Sequence, residues 1–154
     1  MKKILVCVDD TKGSLLIVDT MARLFPCMKP DAVILLYVIK LEGPSLMDDV
    51  LLSDSEINEL REALKGTEYK ELLDRKAQKI IDYFQKALEE KGITGIRPVI
   101  KEGHPVEEIL KIAEEEGVNM IVVGSRGKRM HNLLMGSVSR EIANRAQVPV
   151  LLVK

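Results

Sequence analysis

Five short apolar runs, Ile4–Val8, Val33–Ile39, Ile96–Ile100, Met120–Val123 and Val150–Val153, alternate with longer amphipathic stretches from one end of the chain to the other. This alternation predicts parallel strands joined by helical crossovers, because two parallel strands need a connection long enough to recross the sheet. Most of the runs lack period-two alternation, the pattern of strands covered by helices on both faces. A chain of 154 residues with 46% hydrophobic content is long enough to bury roughly 68–70% of its unfolded surface. Residues 1–154 are therefore read as one domain.

Between the runs the apolar period changes to three and four. Leu15, Val18, Ala22 and Phe25 form one stripe, with Ser14 as cap and Pro26 closing the helix. Tyr69, Leu72, Leu73, Ile80, Ile81, Phe84 and Leu88 form a longer stripe ended by Gly92. Pro105 opens a third helix behind His104, with Glu107 and Glu108 in its positive first turn and Gly117 behind it. Val138, Ile142 and Ala146 give the last helix a narrow stripe. Proline donates no ladder bond, so Pro98 in the third run and Pro149 before the fifth place those strands at the sheet edges. The order 3-2-1-4-5 satisfies both and makes the tips of strands 1 and 4 neighbours at a switch point, where open α/β sheets bind ligands.

The segment Leu41 to Thr67 reads as a connection with a short helix from about Asp54 to Lys65, opened by a capping box from Ser53 to Glu56. It is weighed both as a flap over the crevice and as a solvated connector. Charged residues make up 31% of the chain and the net charge is −1, which argues against general nucleic-acid binding and a polybasic membrane anchor. The opening apolar run stops at Asp9-Asp10, too short for a signal h-region, and no run approaches a membrane span. Two cysteines make no secreted disulfide framework, so a cytoplasmic location is expected.

After the fourth run comes Gly124-Ser125-Arg126-Gly127, followed after eight residues by Gly136-Ser137. A glycine-bearing turn between a strand and a helix supplies bare amides and a helix start, so phosphate is the first ligand to consider. The pattern is neither common nucleotide fingerprint. Gly127-Lys128 is followed by Arg129 where Walker A needs Ser or Thr, and the first strand is followed by the single glycine Gly13. Lys128, Arg129 and His131 read as a solvated basic loop, and two histidines make a histidine-based metal site an unexpected one. Cys7, inside the first run, reads as a small core hydrophobe.

Nearly the whole chain resembles the universal stress protein family. Ile4 to Thr11 is similar to that family's first strand and turn, and Leu35 to Ile39 to its second strand. Gly124 to Gly127, Gly136 to Ser139 and Val148 to Val153 are similar to its carboxyl half. The resemblance implies the 3-2-1-4-5 sheet and a cytoplasmic dimer, and it implies ATP, with or without magnesium, in one branch of the family. Carried over by position, it puts Asp9 near the ribose and Val38 near the adenine. Gly124, Arg126 and Gly127 then line the phosphate loop, with Gly136, Ser137 and Ser139 on the phosphates. Two features depart from the ATP-binding pattern: Lys128 to Met135 makes eight residues where nine are usual, and Asp10 stands where glycine is frequent.

The leading functional reading is an adenine-nucleotide-binding stress or regulatory protein, at most a slow ATPase, with no catalytic residue nominated. The alternative is a dimeric interaction module of the same fold that binds no nucleotide. A phosphoacceptor receiver ranks below both, since the third run ends in Lys101-Glu102-Gly103 without an aspartate to phosphorylate. In the first two readings, Val150, Leu151, Leu152 and Val153 form an unprotected apolar edge that predicts a homodimer through strand 5.

Overall fold

The structure, a computed structural model, describes residues 2–40, 59, 68–125 and 135–154. Strands and helices alternate along them as β1 (Lys3–Cys7), α1 (Lys12–Met28), β2 (Ala32–Ile39), α2 (Glu68–Glu90), β3 (Ile96–Glu102), α3 (Pro105–Glu115), β4 (Met120–Gly124), α4 (Ser137–Arg145) and β5 (Val150–Val153). Every pairing is parallel and the order is β3-β2-β1-β4-β5, as expected. Pro98 and Pro149 lie in and just before the two edge strands, where a missing N–H need not interrupt the ladder. The helix expected from about Asp54 to Lys65 lies outside the described residues except for Glu59.

The near-continuous apolar runs are explained by burial on both sides. Ile4, Val6 and Val8 point to one face, with Val33, Leu35 and Val122, and are covered by Ile17, Val18 and Met21 of α1 and Ile81, Phe84 and Leu88 of α2. Leu5 and Cys7 point to the other, with Ile34, Leu36 and Ile121, beneath Val106, Ile109 and Ile112 of α3 and Ile142 of α4. Successive residues alternate faces, yet both faces of β1 are core, so Ile4 to Val8 are apolar and buried at both registers. Truncating a fully buried residue such as Leu5 to alanine costs about 2–5 kcal/mol, a large share of a typical domain's stability.

The helices depart from the sequence reading in informative ways. Pro26 does not close α1, which runs on to Met28. Ser14 is not the cap either: Thr11 is, and Ser14 is buried inside the helix. Leu15, Tyr69 and Leu72 belong to the apolar stripes but are exposed, because the period names a face without saying how much of it the sheet covers. In α2 the buried positions begin only at Ala77.

Two helices share one stop. After α2, Ile93 N–H donates to Leu88 O at 3.1 Å and Gly92 N–H to Glu89 O at 2.9 Å, with Gly92 at φ +83. After α3, Val118 N–H donates to Ala113 O and Gly117 N–H to Glu114 O, both at 3.1 Å, with Gly117 at φ +59. Both are Schellman closures with glycine in the left-handed position. At the end of α1 that position is held by Lys29, at φ 42, whose N–H donates to Phe25 O. A side chain there is disfavoured by its Cβ. Lys29→Gly is expected to raise stability by about 0.5–1 kcal/mol, the relief being partly offset by the greater freedom of an unfolded glycine. A urea midpoint that moves up without a change in slope checks this.

Ion pairs hold the amino-terminal end of the sheet, where β1 and β3 begin. Glu116, just after α3, lies 2.6 Å from Arg97 of β3 and 3.6 Å from Lys3 of β1. These cations, Arg97 first by hydrogen bonding, hold its carboxyl below the ordinary 4.5. A carboxyl with a lowered folded pKa stabilises above its unfolded value, and that stabilisation is lost as pH falls through the folded one. Stability should therefore decline below the ordinary 4.5 of a glutamate, and Glu116→Gln should flatten part of that decline in acid denaturation curves.

Candidate functional site

The crevice begins with the placement of β1 beside β4. Their register runs Ile4 with Met120 to Val6 with Val122, which brings the carboxyl ends of the two strands side by side. Gly124 closes β4 against the first turn of α1: a Cβ built on it would lie 3.7 Å from Gly13 C and 3.8 Å from Gly13 O. The start of α1 and the end of β4 therefore meet, as the strand order implies. A Cβ at ordinary contact distance is tolerable, so the backbone packing alone does not require glycine at position 124.

Asp9 is the most organised side chain in the crevice. Its Oδ1 accepts from Thr11 N–H and Ser14 Oγ–H, each at 2.8 Å, and from the Thr11 hydroxyl, while its own N–H donates to Ser14 Oγ at 2.8 Å. The Thr11 amide bond is an Asx turn, the reason an aspartate two residues ahead of a helix start is locally favoured. Ser14 completes it because one turn of helix brings its hydroxyl back over the loop. Among the described residues nothing donates to Asp9 Oδ2. Asp9 thus presents one open carboxylate oxygen.

The added charge of Asp10 has a counterion that sequence reasoning did not identify. Lys76 Nζ of α2 lies 2.8 Å from Asp10 Oδ2, so a residue 66 positions away in the chain offsets it. Asp9 to Lys12 and Leu15 also border a pocket of about 320 Å³ shared with Lys79, Ile80, Tyr83 and Phe84 of α2. The exposed apolar surface of Leu15 and Tyr83 lies there.

On the β4 side the chain leaves and returns through one stapled point. Ser125 N–H extends the β4–β5 ladder to Val153 O at 2.8 Å, and Ser125 O accepts from Gly136 N–H at 2.7 Å. Ser139, buried in the first turn of α4, directs its hydroxyl to Ser125 O at 3.2 Å and Gly136 O at 3.0 Å. Here Ser139 fastens the loop ends together. Gly136 is the cap of α4, with no side-chain cap bond, and Ser137 is its exposed first residue. The amides of such a first turn have no intrahelical acceptor. Arg126 and Gly127 lie outside the described residues.

Val38 sits on β2, half-buried against the core of the α3 and α4 face. Cys7 pairs with Leu36, and continuing that register by two residues sets Val38 level with Asp9. Burial pushes the Cys7 thiol well above its ordinary value, which removes thiolate chemistry. No three His, Cys, Asp or Glu side chains group as metal ligands among the described residues, and no helix there is long and apolar enough to cross a membrane.

Comparison with known proteins agrees with this architecture. The model of the universal stress protein family matches residues 1–154. Universal stress protein MJ0577 of Methanocaldococcus jannaschii is 36% identical over 135 residues, 86% of this chain and 82% of that protein. A solved structure of MJ0577 matches with a TM-score of 0.76 at 33% identity, over 99% of this chain and 95% of that one. The universal stress protein from Archaeoglobus fulgidus in complex with dAMP matches with a TM-score of 0.60 over 100% of this chain and 98% of that one. A universal stress protein in complex with cAMP matches with a TM-score of 0.63 over 99% and 96%. Both are 19% identical, so these two show the shared fold. With the sheet order, the glycine turn after β4 and a relative this similar over most of its length, the chain belongs to the universal stress protein family.

Proposed function

We propose that this protein binds an adenine nucleotide, ATP in particular, in the crevice between the tips of β1 and β4, and acts as a cytoplasmic regulator in stress response. The observation that carries this reading is that the start of α1, which orients the Asp9 carboxylate, packs against Gly124, next to the Ser125 carbonyl that is bonded to the cap of α4. Asp9 is held by Thr11 and Ser14, and Gly124 abuts Gly13 of the same turn. In this reading the Asp9 carboxylate takes a ribose hydroxyl and Val38 lies along the adenine. The phosphates meet the start of α4 at Gly136, Ser137 and Ser139, where the helix dipole and the first-turn amides after Gly136, whose own N–H is taken by Ser125 O, favour an anion. Gly124, Arg126 and Gly127 complete the phosphate loop. Magnesium would neutralise phosphate charge and needs only phosphate oxygens and water. Related proteins solved with dAMP and cAMP support the choice of adenine nucleotides, and Lys76 offsets the negative charge that Asp10 would otherwise set near the phosphates.

Calorimetric titration with ATP, with and without magnesium, tests the reading: saturable binding is expected, and its absence in both conditions removes it. Gly136→Asp is the matching variant. Aspartate caps a helix at least as well as glycine, so the fold should survive with unchanged thermal stability, while a carboxylate at the phosphate position should abolish binding.

The second reading, a dimeric interaction module, draws on β5. Ile121 N–H donates to Pro149 O and Ser125 N–H to Val153 O, so residues 149 and 153 face β4 and, by the alternation of the ladder, the amides of Val150 and Leu152 face the open edge. An apolar strand with its amides exposed templates pairing, and a second copy related by a twofold axis is the simplest cover. Light scattering at micromolar concentration should return twice the mass of one chain. Leu152→Pro, which removes an outward amide but none toward β4, should return a single chain with its far-ultraviolet dichroism retained. Wild-type protein that measures as one chain overturns the dimer.

A further inference from the structure

We propose that Thr11 and Ser14 are positioning residues that restrict Asp9 to a single acceptor, so that the crevice reads one hydroxyl of the nucleotide sugar rather than the vicinal pair. The inference rests on the adenine-nucleotide reading above and sharpens it. A carboxylate binds a vicinal diol best when each hydroxyl has its own oxygen. Here Oδ1 is already filled by the Thr11 amide, the Thr11 hydroxyl and the Ser14 hydroxyl. Three donors exceed the two lone pairs that an sp2 oxygen offers, which leaves no room on Oδ1 for a ligand.

The three bonds have a second effect. Thr11 sits at the cap of α1 and Ser14 is buried in its first turn, so the carboxylate is tied to a rigid element rather than to the loop. Ser14 Oγ accepts from Asp9 N–H while donating to Asp9 Oδ1, which fixes backbone and side chain of Asp9 through one atom. Oδ2 is the oxygen left to a ligand, and its direction is set before the ligand arrives. Preorganised acceptors lose less on binding than mobile ones. Lys76 pairs with Asp10, not Asp9, so the neighbouring ion pair does not substitute for these hydroxyls.

The experiment compares ATP, 2′-deoxy-ATP and 3′-deoxy-ATP by calorimetry on wild-type protein, Ser14→Ala, Thr11→Val and Thr11→Ser. For wild type, one deoxy analogue should bind roughly tenfold more weakly than ATP, the size of one hydrogen bond to a charged group, and the other within about twofold. In Ser14→Ala and Thr11→Val the affinity for ATP should fall toward that of the weaker analogue while the analogue itself changes little. Thr11→Ser, which keeps the hydroxyl, should restore the wild-type ratio. If both analogues lose equally in wild type, Asp9 uses both oxygens and the proposal fails. A variant that weakens all three nucleotides in parallel shows a merely structural role and likewise overturns it. Wild-type protein that binds none of the three rejects the nucleotide reading itself, a result distinguishable from the other two.

Discussion

Burial of the central strands β1 and β4 on both faces is the constraint from which the rest of the molecule follows. Leu5, Val6, Ile121 and Val122 are fully buried, and only helices lying on opposite sides of the sheet can achieve that. Parallel strands then require long crossovers, and the connection must change direction between β1 and β4 if both faces are to be covered. That reversal leaves a gap between the loops above those two strands. The crevice is a consequence of covering the sheet, and Asp9 and Gly124 are the residues the chain happens to place at its mouth.

Around that gap, polar contacts are arranged by distance along the chain. The nearest are local: the Asp9 carboxylate is held by residues two and five positions later. Intermediate ones close the second loop, with Ser125 meeting Gly136 and Ser139. The longest pin α2 across the sheet tips, where Lys76 reaches Asp10 and Lys70 pairs with Glu102 at the end of β3. Hydrogen bonding to Glu102 raises the Lys70 ammonium above its ordinary value. These surface-facing pairs orient α2 more than they stabilise it, since ion pairs in water contribute little net free energy.

The strand order was legible because two prolines and five apolar runs carry direct physical meaning: an absent donor belongs at an edge, and an uninterrupted apolar run belongs inside. Helix ends were legible where glycine supplies the left-handed residue, as at Gly92 and Gly117, and misread at Pro26. A proline two residues from a helix end removes an N–H without forbidding one more turn's dihedral angles, and Lys29 takes the left-handed position instead. Ser14 was misassigned as a cap for a related reason. Its hydroxyl satisfies a carboxylate five residues upstream, and cap statistics carry no information about that partner. The Asx turn between Asp9 and Thr11 was the available signal, since that spacing is itself a turn motif.

By itself the sequence determined the fold class, the order of the strands and the family. Each of these depends on local chemistry or on periodicity, which survive being read one residue at a time. Only the tertiary structure decided that Asp9 has one oxygen to offer, that Ser139 staples a loop, that Lys76 answers Asp10 and that Leu15 and Tyr83 stay exposed. Those outcomes depend on which groups meet after the helices have packed, and hydrogen bonds act over about 3 Å whatever the separation along the chain.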